Sequence, residues 1–296
     1  MKYKAAAVQM MINSSEKEIN IKKALNLLEE AAAEGAKVVC FPDYFLTDTP
    51  TNKMTKKDLE AIAEPIPGPS TDAFSKAAKK LNVYVVAGSI VEMGEDNLLY
   101  STSPLIGADG DLIGKVRKTA PENAPAKYEL GCGITPGPGD YPIFDTEIGK
   151  LGIMIDMDGI ACEVPRIFGI KGVEVLFWPT NFSVRFTAGI HLFNKYNSMA
   201  ALYSYLVSSA RVGWTMETPL HGWAFYGKEQ ADLMYGGASG IAFAGSYLST
   251  VPDFSEGIAY AIVDTEKPNM VRKLRKEVMP LERRPETYRL IHESSY

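Results

Sequence analysis

Two spacings of apolar residues alternate along the first half of the chain. Lys4 to Met10 (KAAAVQM) predicts a short strand. Ser15 to Ala33 then sets Ile19, Ile21, Ala24, Leu25, Leu27, Leu28 and Ala31 on approximately one helical stripe. A Ser-Glu start and Gly35 just past the end bound that helix. Lys37 to Phe41 (KVVCF) is a near-continuous apolar run, which predicts a buried strand. A second helix is expected over Ser70 to Leu81, and Val83 to Val91 (VYVVAGSIV) reads as one more buried strand. Strands alternating with helices place this half in the α/β class.

The middle changes character. Leu99 to Ile106 and Leu112 to Arg117 flank an Asp-Gly turn at Asp109-Gly110 and predict an antiparallel hairpin. Residues 119–142 are rich in Pro and Gly and predict a long ordered loop, a length that tends to carry function inside a compact domain. The α/β rhythm returns with a strand at Leu151 to Ile155, a helix near Cys162 to Ile170 and a strand at Val173 to Pro179. A further helix is expected over Asn194 to Tyr205, then strands at Leu206 to Ser209 and Gly257 to Val263, with a Gly-rich return at Tyr235 to Gly245. With no low-complexity linker and no repeat, a single domain over 1–265 is expected, followed by a charged C-terminal extension over 266–296.

Composition narrows the class. At 296 residues, 46% hydrophobic and 23% charged, the chain is neither disordered nor a small disulfide scaffold. A net charge of −5 gives a nucleic-acid partner no electrostatic support. No apolar run approaches the roughly 20 residues of a bilayer span, and the N-terminus turns polar too soon for a secretory signal. The odd, widely spaced Cys40, Cys132 and Cys162 argue against a disulfide framework, so a reducing cytoplasm is the expected location. His191, His221 and His292 lack ligand spacing, and no Lys-Ser/Thr follows the glycines at 236, 237, 240 and 245. Neither a metal nor another cofactor is expected.

Candidate chemistry gathers where strands end. Asp43 directly follows the buried KVVCF run, Lys118 closes a hairpin strand, and Asp156 follows five largely apolar residues. An acid, a lysine and a third polar group from separate elements can build an acid–base and oxyanion-stabilising site.

Ordered motifs surround these positions: VQM, VVCFPDYFLT, GKVRKT, GKLGIMIDMDGIACEVPR, KGVEVLFWPTNF, SSARVG and YGGASGIA. In this order and spacing the chain resembles the nitrilase (carbon–nitrogen hydrolase) superfamily over nearly its whole length. The resemblance implies a four-layer α-β-β-α sandwich, association into a homodimer or larger homo-oligomer with the C-terminal extension at an interface, and no cofactor. It also implies a Glu base, an oxyanion-binding Lys and a Cys nucleophile that forms a thioester from an amide, carbamoyl or nitrile carbon. Lys118 falls on the family lysine, whereas Asp43 replaces the glutamate and Asp156 replaces the nucleophilic cysteine. Asp158, Glu163 and Arg166 keep the frame around it, and Glu129 matches a second family carboxylate near the substrate. Tyr44, Trp178 and Asn181 are expected to line the site, with Phe45, Phe182, Trp214, Trp223 and Phe225 as further aromatics for a pocket wall or the core.

A carboxylate at 156 cannot form a thioester. Hydrolysis of a small carbon–nitrogen substrate through Asp43, Lys118 and Asp156 is the first expectation, and a silent protein binding a small molecule or a partner is the alternative. A minor reading takes IMIDMDGI for the Asp-x-Asp of a Mg²⁺-dependent aspartyl phosphohydrolase, with Asp156 as nucleophile and Asp158 as acid–base. Generic expectations instead make Asp158 a cap of the helix through Cys162, Lys118 a surface charge, and Glu163 with Arg166 a surface pair.

Overall fold

The computed structural model describes residues 1–12, 16–51, 54–124, 127–183, 187–214, 234–278, 284–289 and 291. The chain opens with β1 (Lys2–Met11), α1 (Lys17–Ala33), β2 (Ala36–Cys40), α2 (Lys56–Ile62), α3 (Pro69–Leu81), β3 (Tyr84–Val86) and β4 (Ile90–Met93). It continues through β5 (Leu99–Ile106), β6 (Leu112–Arg117), β7 (Asn123–Ala124), β8 (Lys127–Tyr128), β9 (Phe144–Thr146) and β10 (Gly149–Ile153). After α4 (Glu163–Ile170), β11 (Val175–Thr180) and α5 (Thr187–Ala200) come β12 (Tyr205–Trp214), β13 (Met234–Gly236), β14 (Gly240–Phe243) and β15 (Ser246–Thr250). The strand β16 (Gly257–Asp264) and the helix α6 (Glu266–Val278) follow.

Successive residues of a strand point to opposite faces, and that period builds the layers. Ala5 and Ala7 of β1, Val38 and Cys40 of β2, and Val175 and Phe177 of β11 meet in one core between two sheet faces. Their neighbours turn outward. Ala6, Val8 and Val39 pack under Ala24, Leu28 and Ala31 of α1 and Phe74 and Ala78 of α3. Leu176, Trp178 and Leu206 pack under Val164 and Phe168 of α4 and Ile190 of α5. The result is the expected helix–sheet–sheet–helix sandwich. The two faces are one curled sheet, joined where Met10 and Met11 at the end of β1 pair with Arg211 and Val212 of β12.

Strand direction explains where polar groups collect. The neighbours β3, β2, β1, β12, β11 and β10 pair in parallel, so their C-termini share one edge. The strand β5 runs antiparallel to both β3 and β6, so β6 also ends at that edge. Asp43, Lys118, Asp156 and Asn181 all follow these ends, which is where ligands bind in open α/β sheets.

Several expectations shift. The strand expected over Val83 to Val91 is two strands, interrupted at Ala87–Ser89. Gly88 sits there at φ +50, and because a Cβ would meet the Pro42 carbonyl oxygen at 2.0 Å the position admits only glycine. The helix expected over Asn194 to Tyr205 begins earlier, at Thr187, and ends at Ala200. Leu202 and Tyr203 turn left-handed, and Tyr205 opens β12 by stacking on Phe243 with ring centroids 4.5 Å apart. The helix α2 was not expected, although Thr55 and Asp58 supply a reciprocal N-terminal box. The first part of the C-terminal extension, α6, packs back on the chain: Arg272 donates to the Leu202, Ala201 and Val173 carbonyls.

Candidate active site

Four charged side chains with no solvent exposure meet at the shared strand edge. The Lys118 ammonium lies 2.7 Å from Asp156 Oδ2, 2.8 Å from each Glu129 carboxylate oxygen and 3.7 Å from Asp43 Oδ2. The expected convergence of Asp43, Lys118 and Asp156 is therefore present, and Glu129 joins it from the long loop. The generic alternative of a solvated Lys118 is overturned by that complete burial.

Each group is held by its own local geometry. The Lys118 main chain is fixed by its N–H donating to Ser101 O and its carbonyl accepting from Gly137, both at 2.8 Å. Asp43 Oδ1 accepts from the Ser89 hydroxyl, and Ser101 Oγ lies 3.5 Å away. The break between β3 and β4 is what delivers Ser89. The Asp43 N–H reaches Thr180 O at 3.4 Å, tying the end of β2 to the end of β11. Glu129 also accepts from the Glu122 N–H at 2.6 Å and the Tyr44 hydroxyl at 2.8 Å.

Asp156 occupies a strained elbow. At φ +48 it sits in a backbone region uncommon outside glycine, at the start of a short 3-10 turn over Asp156–Gly159. Trp178 stabilises the bend: its indole N–H donates to Asp156 O at 2.8 Å, and a Cβ on Gly159 would meet the ring at 2.3 Å. The Asn181 N–H lies 3.2 Å from Asp156 Oδ1, while the Asn181 side-chain amide donates to Thr49.

Of the residues expected to line the site, Tyr44 touches Glu129, Trp178 lies beneath the elbow, and Asn181 presents its main chain. Phe182 packs on Trp178 at 5.9 Å, whereas Phe45 stacks on Phe41 at 5.1 Å in the α1–α3 core and is not a wall of the site. Trp223, Phe225, His221, His292 and the Trp214 side chain lie outside the described residues.

Asp158 is not the cap of the α4 helix. Its carboxylate turns away to accept the Thr119, Ala120 and Ile155 N–H groups. That also removes the fit to an Asp-x-Asp magnesium site. Asp158 is saturated by main-chain donors, and the position beside Asp156 is filled by an ammonium. Among the described residues no group of three or more His, Cys, Asp or Glu side chains is arranged to hold a metal.

Burial and charge work against each other here. Burial disfavours the Lys118 ammonium, but Asp156, Glu129 and Asp43 hold its pKa well above the ordinary lysine value. Burial, with Glu129 adding to it, raises the Tyr44 phenol. None of the three cysteines stands in this cluster: Cys40 lies in the inter-sheet core, where burial pushes it up to about 12. The Cys132 thiol donates to Thr51 and Met54 carbonyls, and Cys162 is exposed.

Reading residue types missed the supports. Ser89 and Ser101 were polar breaks inside apolar strands, a signal available but weak. Asp48, Thr49, Arg211 and Tyr235 form a buried polar wall beside Asn181. In it Arg211 lies 2.8 Å from Asp48, 3.3 Å from Thr49 and 4.4 Å over the Tyr235 ring.

The chain matches the family described as Carbon-nitrogen hydrolase over residues 4–273. It is 34% identical to human omega-amidase NIT2 over 186 residues, 62% of this chain and 64% of that protein. It is 35% identical to omega-amidase NIT2-A of Xenopus laevis over 187 residues, with 62% and 65% covered. The match thus spans less than two thirds of these relatives. The fold superposes on a carbon-nitrogen hydrolase from Helicobacter pylori G27 with TM-score 0.81, 22% identity and both chains fully covered (100%). For Saccharomyces cerevisiae Nit3 the TM-score is 0.75, with 22% identity and 96% of each chain covered.

Proposed function

The chain belongs to the carbon–nitrogen hydrolase family, and from that premise we propose that it hydrolyses a C–N bond of a small amide, carbamoyl or nitrile substrate through an atypical Asp43–Lys118–Asp156 centre. The observation that supports this is the enclosure of Lys118 by Asp156, Glu129 and Asp43 within 2.7 to 3.7 Å. In this reading water supplies the nucleophile. For an amide, Asp43 takes a proton as the water oxygen bonds to the substrate carbon, and Lys118 holds the oxyanion. The oxyanion then collapses, the C–N bond breaks, and the leaving nitrogen takes the proton from Asp43. Asp156 keeps Lys118 charged and placed.

A direct attack by Asp156 is disfavoured because Lys118 and the Asn181 N–H already draw on its two oxygens. The same observation favours a second reading, a silent member that binds a small molecule. The two separate in an ammonia-release screen of short ω-amides, carbamoyl compounds and nitriles, run beside thermal melts. Turnover abolished by Lys118→Ala supports the enzyme, whereas stabilisation without turnover from any class removes the hydrolytic reading. One turnover in heavy-oxygen water labels only the product if water attacks directly, whereas any label found on Asp156 identifies it as the nucleophile.

A homodimer or larger homo-oligomer is part of the proposal. Leu192, Tyr196 and Met199 form an exposed apolar stripe on α5, and Met270, Leu274 and Val278 form one on α6. Light scattering of the wild type and of Leu192→Glu tests it; a monomeric wild type ends it.

A further inference from the structure

Asp158 is 1% exposed and lies two residues past Asp156 on the same 3-10 turn. Its Oδ1 accepts the Thr119 N–H at 3.0 Å and the Ala120 N–H at 2.8 Å, and its Oδ2 accepts the Ile155 N–H at 3.2 Å. Thr119 and Ala120 directly follow Lys118, and Ile155 directly precedes Asp156. One carboxylate therefore joins the chain leaving β6, in one face of the sandwich, to the chain leaving β10, in the other.

We propose that Asp158 is a positioning residue whose ionised carboxylate locks Lys118 and Asp156 into contact and fixes the start of the loop that carries Glu129. The chemistry demands the charged form. A carboxylate offers only acceptors, which matches three converging N–H donors, whereas a protonated one turns an O–H toward them. The charged and titratable groups around it are Lys118 from β6, Tyr141 from the loop before β9, and Asp156 on its own turn. Burial pushes the Asp158 pKa up to about 6 against the pull of the backbone donors. A raised value means that the buried site holds the proton more readily than solvent does, so acid by itself does not release the clamp, and its three main-chain donors are what identify it. The inference rests on reading Lys118 and Asp156 as the working pair, but its test needs no turnover.

Amide hydrogen exchange on the whole protein reads the clamp directly. Thr119, Ala120 and Ile155 are expected to lose roughly ten- to a hundredfold protection in Asp158→Asn at neutral pH, as fits a lost charge-assisted bond. Unchanged protection at these three amides overturns the proposal. If the variant fails to fold, the wild type alone decides: three amides that exchange as freely as an exposed loop at neutral pH overturn it as well. Positioning is read separately from the carboxyl carbon shifts of labelled aspartates. The Asp43 and Asp156 shifts are expected to change in Asp158→Asn; if the three amides open while those shifts stay put, Asp158 merely anchors a loop.

Discussion

Two buried charge clusters sit at opposite ends of the balance between cations and anions. At the sheet margin Glu92, 1% exposed, faces Lys115 at 2.6 Å and Arg117 at 2.9 Å, and accepts from Thr102 at 2.6 Å. At the strand edge one lysine faces three carboxylates. The first cluster gives one anion two cations and a hydroxyl, all from the adjacent strands β4, β5 and β6. It staples a sheet. The second draws its members from four separate parts of the chain and concentrates negative charge around one ammonium. Such an arrangement costs stability by burying charge, and strongly perturbed charges cluster at functional sites.

Removing the shared cation breaks the comparison most severely. Lys118→Met leaves the surrounding carboxylates with their ammonium gone, so a loss of about 3–5 kcal/mol in urea unfolding is expected. Turnover should vanish with it. An unchanged midpoint would show that the centre does not depend on this cation.

Asp156→Cys sharpens the contrast from the other side. It removes one negative charge and introduces a thiol able to form a thioester, so an acyl-enzyme should appear in intact-mass spectra during turnover of a short amide. A variant that stays unacylated in the presence of amides argues that the centre lacks the geometry for acyl transfer.

At the margin, Glu92→Gln should cost about 1–3 kcal/mol, the range of charge-assisted hydrogen bonds, and leave KM untouched. The pH dependence of the two regions has opposite sign. Burial raises the Glu92 pKa, but hydrogen bonds from Arg117, Lys115 and Thr102 outweigh it and leave it below the ordinary glutamate value. Its contribution is therefore complete above the unfolded value and is lost as the pH falls through the folded one. Asp158, raised to about 6, contributes fully below its unfolded value and loses that contribution as the pH rises through about 6. Denaturation series of Glu92→Gln and Asp158→Asn against wild type should thus diverge in opposite directions with acid; parallel curves would refute the assignment.

The smallest effect belongs to Tyr44→Phe. It removes the hydroxyl that donates to Glu129 at 2.8 Å, so about 1 kcal/mol of stability should go. A larger drop in turnover than in stability would show that holding Glu129 matters to the chemistry.

The layers were legible because period and burial coincide. In KVVCF the alternate residues face different cores, and a short run of branched and apolar residues on both faces fits a strand between two layers. The break at Gly88 was not legible, since the close approach that requires a glycine there comes from the Pro42 carbonyl at another strand end. The start of β12 at Tyr205 likewise depends on Phe243, far along the chain. In the centre, residue types and motif order marked Asp43, Lys118, Glu129 and Asp156. Ser89, Ser101 and Asp158 acquired their roles only from what they touch.

Local spacing thus determined most of the strands and helices and which charged residues end strands, because those follow from side-chain periodicity and short-range sterics. Tertiary structure alone decided that the strand ends face one another, that Lys118 is enclosed by carboxylates, and that Asp158 serves the main chain of two sheet faces. Those outcomes depend on strand direction and on distances between residues far apart in the chain, which no window of sequence contains.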